Sequence, residues 1–549
     1  MKSRIIKNEK NAVLILAAGY RAYDESFISH EPFLNIGNTL IIERIKKCCV
    51  AKNKIYIAVN NFSNKLQKLK SFNNCIFINV GSTLGVIDTI KRSIDYIKED
   101  FINILPITTV PDNQFIEKKS IFFGDKKISK ENWSAILYFN KTTIEYLFKE
   151  KEIDFKKKCY PFTGRISSEK NNLIDALKDI KNYQMHDLLY LAKILIDKYE
   201  HSINHEKWYD SGHSTTYFET KISSFSSRFF NYIQYNHKKN SIIKTSQDPI
   251  KLEKEINFYK NIPTELKVFF PILFNKGKQE KEFLELEYLP FPNLSEIFLF
   301  RKIKANRWEN IVKSIFNIYS QLYLTNKSQN FLHDSSHLYS EKLRQRINIL
   351  NEILDNLNNK LLKKIINTGI KVNNNILPSL NITNIKLQNK LKQFEKNRPL
   401  SFGHGDLCFN NILIEPISGS IKLIDPKADS IGNNKIGYTD PLYDLAKLNH
   451  SFSCFYDSIV NNMFSLTYMK DQYELKIFKP FNYDVANFYF KKIFVDNLID
   501  NELLRILTSN LFLSMLPLHK DDEQKMAAFL IIGLSLFYDI DMENYSLEI

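Results

Sequence analysis

The chain has 549 residues, more than one hydrophobic core usually supports, so two or three domains are expected. A composition of 44% hydrophobic, 13% aromatic and 25% charged residues excludes extensive disorder. The formal charge of +15 comes from lysines dispersed among Asn and Ile, as an AT-rich, low-GC bacterial genome would produce, and no Lys/Arg block interleaved with aromatics points to nucleic acid.

In chain order, the basic first ten residues lead into an apolar run, 12–18, too short for a signal peptide and better read as a first β-strand. Further β-like runs at 54–59, 75–80, 101–106 and 134–139 alternate with amphipathic helical sequence, which predicts a mainly parallel, Rossmann-like sheet over residues 1–150. Leu188, Leu191, Leu195 and Ile196 recur at helix spacing, so 151–209 is expected to be a helical connector. Strand-like runs return between 216 and 291 with one helix at 249–260, which makes 210–292 a β-rich small lobe, and 293–549 reads as a helical large lobe. Within it, the polar, Asn-rich stretch 341–396 reads as an insertion or an extended helical pair. The late apolar run 527–538 is well below the ~20 residues of a spanning helix, so no membrane span is expected. Cys48, Cys49, Cys75, Cys159, Cys408 and Cys454 never sit at the two-residue gap of zinc or redox motifs, which fits free thiols in a reducing cytoplasm.

The N-terminal run Val13-Leu14-Ile15-Leu16-Ala17-Ala18-Gly19 resembles the opening of sugar-phosphate nucleotidyltransferases, where a strand runs into a phosphate-binding turn. The resemblance implies an Arg on the triphosphate, a Lys-Pro pair and a Gly-Asp whose Asp holds Mg²⁺. Here Arg21 is displaced, Glu31-Pro32 puts a carboxylate where a cation should face phosphate, and Asp112 lies far along its segment. The segment Gly81-Ser82-Thr83-Leu84-Gly85 still resembles the loop that reads base or sugar. A degenerate domain that binds a sugar nucleotide, or only supports its neighbour, is the expectation.

The stretch from Ser401 to Ile414 contains His404-Gly405-Asp406 with Asn411 five residues on, and an Ile/Leu-rich strand then ends in Asp425. Two carboxylates and an amide brought together supply a base and hard oxygen ligands, which is what phosphoryl transfer needs beyond a clamp on the nucleotide. This resembles the aminoglycoside phosphotransferase and choline kinase families, which implies a bilobal, protein-kinase-like α+β fold, ATP and Mg²⁺. By that resemblance Asp406 is the catalytic base, and Asn411 and Asp425 are the metal ligands. Lys244, ending an apolar strand, and Glu255, on the next helix, are expected to pair and clamp the phosphates; Glu287 and Leu289 would bond adenine through their backbone; residues 223–231 would cover the phosphates. Asp444 reads as a structural anchor for the catalytic loop.

The segments 208–213, 229–231 and 511–519 resemble a branch of these families found among bacterial capsule and lipopolysaccharide synthesis proteins, with His519 weighed as acceptor-pocket or structural. The pairs His201/His205 and His333/His337 have i,i+4 spacing but no third ligand, so surface or capping roles are expected. Gly405 in place of Arg argues against a protein kinase. The expected function is therefore a cytoplasmic kinase that phosphorylates a small-molecule hydroxyl in surface-glycan assembly. A bifunctional kinase/nucleotidyltransferase and a non-catalytic scaffold in a glycan-synthesis complex are the alternatives.

Overall fold

Ala12, Val13, Leu14, Ile15, Leu16 and Ala17 are all buried, and a run buried on both faces belongs at the centre of a parallel sheet. In the computed structural model, which describes residues 11–210 and 231–547 apart from short stretches, the longest being 149–157 and 428–435, that is where they lie. The strand Asn11–Ala17 pairs in parallel with Lys54–Val59 on one side and with Phe101–Pro106 on the other. Beyond Lys54–Val59, Cys75–Asn79 continues the parallel order. The strands expected from the sequence thus form within a residue or two of their predicted bounds.

The chain divides into two units, Met1–Ser224 and Phe225–Ile549. In the first, the sheet continues past Phe101–Pro106 with the antiparallel strands Lys158–Glu169, Ala135–Tyr138 and Ile144–Leu147. Ala12, Leu14 and Leu16, alternate residues of one strand face, share a core cluster with Ile87, Ile90, Leu191 and Leu195 from the helices Val86–Ser93 and Leu188–Tyr199. The expected helical connector 151–209 is corrected here. It carries the twelve-residue strand Lys158–Glu169 and the strand Ser202–Glu206, both in the main sheet, beside its two helices. The strand Trp208–Asp210 then pairs with Thr109–Pro111, so the first unit extends past 209. Helix periodicity at 188–196 was a true local signal. Strand pairing with distant segments leaves none.

Arg165 is fully buried in this sheet, its guanidinium 2.6 Å from Glu206 and 4.2 Å from the centre of the Phe122 ring. A buried cation stripped of its carboxylate cannot regain water. Glu206→Ala should therefore destabilise this unit by about 3–5 kcal/mol, read as a lower urea midpoint; an unchanged midpoint contradicts the pairing.

The second unit opens with an antiparallel sheet ordered Asn231–Asn236, Ser241–Ser246, Glu282–Glu287, Leu273–Lys278. Helix Pro249–Asn261 starts at Asp248, whose side chain accepts from the Lys251 amide at 3.2 Å, and packs Leu252, Ile256 and Phe258 inward. The remainder is mostly helical. Helices Asn501–Met515 and Glu523–Phe537 are buried almost throughout and lie close enough for Ser509 Oγ to donate to the Gly533 carbonyl at 2.7 Å. Among the described residues no helix is long and apolar enough to cross a membrane. The stretch expected as an insertion, 341–396, forms helices Ser340–Asn356, Lys360–Asn367 and Leu380–Phe394 around a small hairpin, with Leu343, Leu350, Leu387 and Leu391 in the core.

Candidate active site

Strand Arg398–Phe402 delivers the chain into Gly403, His404, Gly405 and Asp406, and the hairpin Ile412–Ile414 with Ile421–Leu423 returns it to Asp425. The two loops are laced together by main-chain bonds. Ile424 N donates to the Asn411 carbonyl at 3.0 Å, and Lys427 N donates to the His404 carbonyl at 2.9 Å. Gly405 is required at this crossing: its φ is +74°, and a Cβ there would stand 2.5 Å from the Lys427 carbonyl oxygen. Asp425 itself holds φ +57°, a left-handed conformation costing a non-glycine residue about 1–3 kcal/mol.

Buried side chains hold the loop from beneath. Asp444, on helix Pro441–Phe452, accepts from Gly405 N at 2.8 Å, from Leu407 N at 3.0 Å and from the Tyr323 hydroxyl, whose oxygen in turn accepts from His404 N at 2.8 Å. Burial pushes the Asp444 carboxyl up to about 6, against the pull of those amides. His404 Nδ1 accepts from the Asp406 amide at 3.2 Å, which leaves Nε2–H to donate to the Ile424 carbonyl at 3.0 Å. Burial pushes this imidazole down to about 4, so it is neutral at pH 7.

Above that floor stand the charged groups. Lys244, in the middle of strand Ser241–Ser246, places Nζ 2.7 Å from Glu255 Oε2 and 2.5 Å from Asp425 Oδ1. Burial opposes the ammonium, but the two carboxylates outweigh it and hold Lys244 above its ordinary value. Asp406 is held between Lys427 (2.8 Å) and Lys447 (3.1 Å). Burial alone would raise its carboxyl; the two ammonium groups instead keep it well below the usual range. Asn411 donates from Nδ2 to the Asp406 carbonyl at 2.8 Å, which leaves Oδ1 as its acceptor.

Of the residues expected from the sequence, Lys244, Glu255 and Asp425 meet in one cluster, and Asp406 and Asn411 share one loop. Glu287 has its amide on the Ile272 carbonyl at 2.9 Å, whereas the Leu289 amide has no hydrogen-bond partner among the described residues. Residues 223–230, expected over the phosphates, lie outside the described residues, as do 211–213 and Glu31-Pro32; the strand Arg21–Asp24 is described without its side chains. Asp112 is exposed and faces Lys207 at 3.6 Å. Ser82, Thr83, Leu84 and Gly85 line a cavity of the first unit. Among the described residues no group of three or more His, Cys, Asp or Glu gathers as a metal site. His201 bonds Leu195 O and Ser168 Oγ, and His205 bonds Gly124 O and Tyr138 Oη, both structural uses. Asn411 Oδ1 and the Asp425 carboxylate are hard oxygen donors, a ligand type that fits Mg²⁺.

Sequence reasoning missed Lys427, Lys447 and Tyr323. Lys427 follows Asp425 by two residues, and Lys447 follows Asp444 by one helical turn, so both had a readable position. Tyr323 had none, because its partners lie about eighty and 121 residues away.

No family model and no curated protein matches the chain. Among solved structures, 40% of the chain aligns with 100% of a UDP-glucose pyrophosphorylase complexed with UDP-glucose, at 13% identity and TM-score 0.31. HddC from Yersinia pseudotuberculosis aligns over 98% of its length with 39% of the chain, at 14% identity and TM-score 0.30. An aminoglycoside-3'-phosphotransferase of type VIII aligns over 87% of its length with 51% of the chain, at 14% identity and TM-score 0.31. The functional reading rests on the residues above.

The displaced imidazole fixes a pH dependence. His404 has a folded value of about 4 against 6.5 unfolded, so its contribution is complete above 6.5 and is lost as pH falls toward 4. The stability gap between wild type and His404→Asn should shrink by roughly 3 kcal/mol between pH 7 and pH 4, followed by urea denaturation. A gap that does not change with pH contradicts the burial of a neutral ring.

Proposed function

We propose that the second unit is an ATP-dependent phosphotransferase moving the γ-phosphate of ATP to a hydroxyl of a small polar metabolite. The observation that carries this reading is a buried lysine bound at once to Glu255 and Asp425, with Asp406 and Asn411 on the adjoining loop. In this reading Lys244, oriented by Glu255, holds nucleotide phosphate, and Leu289 offers its amide to the base. Asn411 and Asp425 hold Mg²⁺, which neutralises phosphate charge. The acceptor oxygen forms its bond to the γ-phosphorus as the bond to the bridging oxygen breaks and ADP leaves.

Asp406 receives the hydroxyl proton. With its carboxyl held low by Lys427 and Lys447, it is a poor proton store early in the step, and its main contribution is to fix the hydroxyl in line. A loose transition state asks for little more, because the acceptor oxygen becomes strongly acidic only once the new bond is forming. The place of this activity in capsule or lipopolysaccharide assembly, in the cytoplasm, is supported by the sequence resemblance of 208–213, 229–231 and 511–519 alone.

Asp406→Asn should lower kcat by at least ~10²-fold on whichever sugar, amino alcohol or hydroxy acid the wild type phosphorylates with Mg²⁺ and ATP, scored by mass spectrometry of products. No phosphorylated product from the wild type across such a panel counts against the reading. Lys447→Gln removes one of the two cations that hold Asp406 down. Its carboxyl should rise, and the acid limb of the kcat/KM profile should move to higher pH; an unmoved limb would show that Asp406 does not need to be ionised.

A further inference from the structure

On helix Pro441–Phe452, Tyr443 and Lys447 are four residues apart and so share a face. That face meets the loop of Asp406. Lys447 Nζ lies 3.1 Å from Asp406 Oδ1, and Lys427 approaches the other carboxylate oxygen, Oδ2, at 2.8 Å. A third ammonium comes from a separate element: Lys342, in the first turn of helix Ser340–Asn356, donates to the Tyr443 hydroxyl at 2.7 Å and stands 4.8 Å from the centre of its ring. Three lysines from one loop and two helices thus converge on one carboxylate and one phenol, and the 42% exposure of the Lys427 side chain opens the group to solvent.

The acids along these elements are committed elsewhere. Glu341 faces Arg344 at 3.8 Å, Glu395 accepts from the Ser340 hydroxyl at 2.7 Å, Asp440 holds Arg398 at 2.8 Å, and Asp444 takes the Gly405 and Leu407 amides. The stretch 428–435, outside the described residues, carries one acid, Asp429, and one base, Lys435, and adds no net charge. As it stands the arrangement costs energy. Lys427 and Lys447 repel each other across the carboxylate they share, and Lys342 sits at the positive end of its helix dipole. Tyr443 registers the result: burial alone would raise its phenol, yet Lys342, Lys447 and Lys427 together bring it below its ordinary value. Negative charge is therefore favoured at this oxygen in spite of burial. Groups held against their own repulsion cluster at functional sites.

We propose that the phosphate acceptor is itself an acid, a hydroxyl compound that also carries a carboxylate or phosphate group, and that Lys342 and the Tyr443 hydroxyl hold that group while Asp406 faces the hydroxyl. This acceptor class rests on the phosphotransferase reading of the second unit. Lys427 and Lys447 can serve the transferred phosphoryl group as well, whereas Lys342 reaches Tyr443, so that pair is assigned to the acceptor's own charge. The Tyr443 hydroxyl accepts from Lys342 and keeps its own proton to donate to the acid. An amine brought to the same place would meet three ammonium groups as like charge. The acid group takes no part in the bond changes of the transfer; it fixes which end of the acceptor lies beside Asp406.

Initial rates of the full chain with saturating ATP and Mg²⁺ are compared at neutral pH across two series matched at one terminus. One is glycerate, glycerol 3-phosphate, glycerol and 3-aminopropane-1,2-diol; the other is glucuronate, glucose 6-phosphate, glucose and 6-amino-6-deoxyglucose. In a series that is turned over, an acid should exceed the neutral member in kcat/KM by about tenfold or more, with the amine poorest. Whether carboxylate or phosphate leads identifies the acid group. Lys342→Gln, with far-UV circular dichroism as the control for folding, should raise KM for the acid about tenfold with a smaller change in kcat, and so narrow its advantage. Lys342→Glu should turn the preference toward the amine. A neutral or amine member that leads, or an acid advantage that Lys342→Gln leaves intact, overturns the inference and spares the phosphotransferase reading. An equal loss of affinity for the ATP analogue AMP-PNP in Lys342→Gln would put this lysine on the nucleotide and also overturns it. No product from any member removes both readings.

Discussion

A lysine only 8% exposed keeps its ammonium charged when carboxylates surround it, and Lys244 has two, contributed by a helix and by a loop 181 residues further on. That arrangement constrains everything around it. The strand must deliver Lys244 at its middle, helix Pro249–Asn261 must turn Glu255 inward, and the hairpin Ile412–Ile414 with Ile421–Leu423 must end where Asp425 can reach. The left-handed backbone of Asp425 is understandable on these terms, since local strain is held by the bonds that lace its loop to His404 and Asn411.

The loop from Gly403 to Asp406 answers to a second constraint, the shortage of water beneath it. Asp444, Tyr323 and His404 are buried and satisfy the loop amides in place of solvent, at the expense of a raised carboxyl and a lowered imidazole. Neutral His404 adds no charge next to Asp406, so the field there is set by Lys427 and Lys447. Lys427 and Lys447 thus place two ammonium groups beside Asp406, cations that suit a negatively charged phosphoryl group in the proposed reaction.

Much of this was legible in the sequence, for reasons that differ by residue. The strands at 54–59 and 101–106 were readable because burial on both faces demands mostly apolar runs, broken within the second only by Asn103, and the helix at 188–199 because its leucines keep helical spacing. The placement of Asp406 and Asn411 on one loop, with Asp425 after a hairpin, was readable because one short loop and one hairpin fix their spacing. The connector was misread because Lys158–Glu169 mixes Ser, Thr, Arg and Gly into a strand whose neighbours, Phe101–Pro106 and Ser120–Gly124, lie far back in the chain. Tyr323 illustrates the same limit at the site: its two bonds are long-range, and nothing near it in sequence marks them.

The central claim is that Lys244, Glu255 and Asp425 form a nucleotide-phosphate clamp, and calorimetric titration with the non-hydrolysable ATP analogue AMP-PNP and Mg²⁺ tests it without knowledge of the acceptor. The wild type should bind, and Lys244→Met, which keeps the length of the side chain and removes its charge, should bind at least about tenfold more weakly while keeping its circular dichroism spectrum, a loss of about 1.4 kcal/mol or more. Equal affinity in the two proteins, or no binding by the wild type at millimolar analogue, would contradict the account.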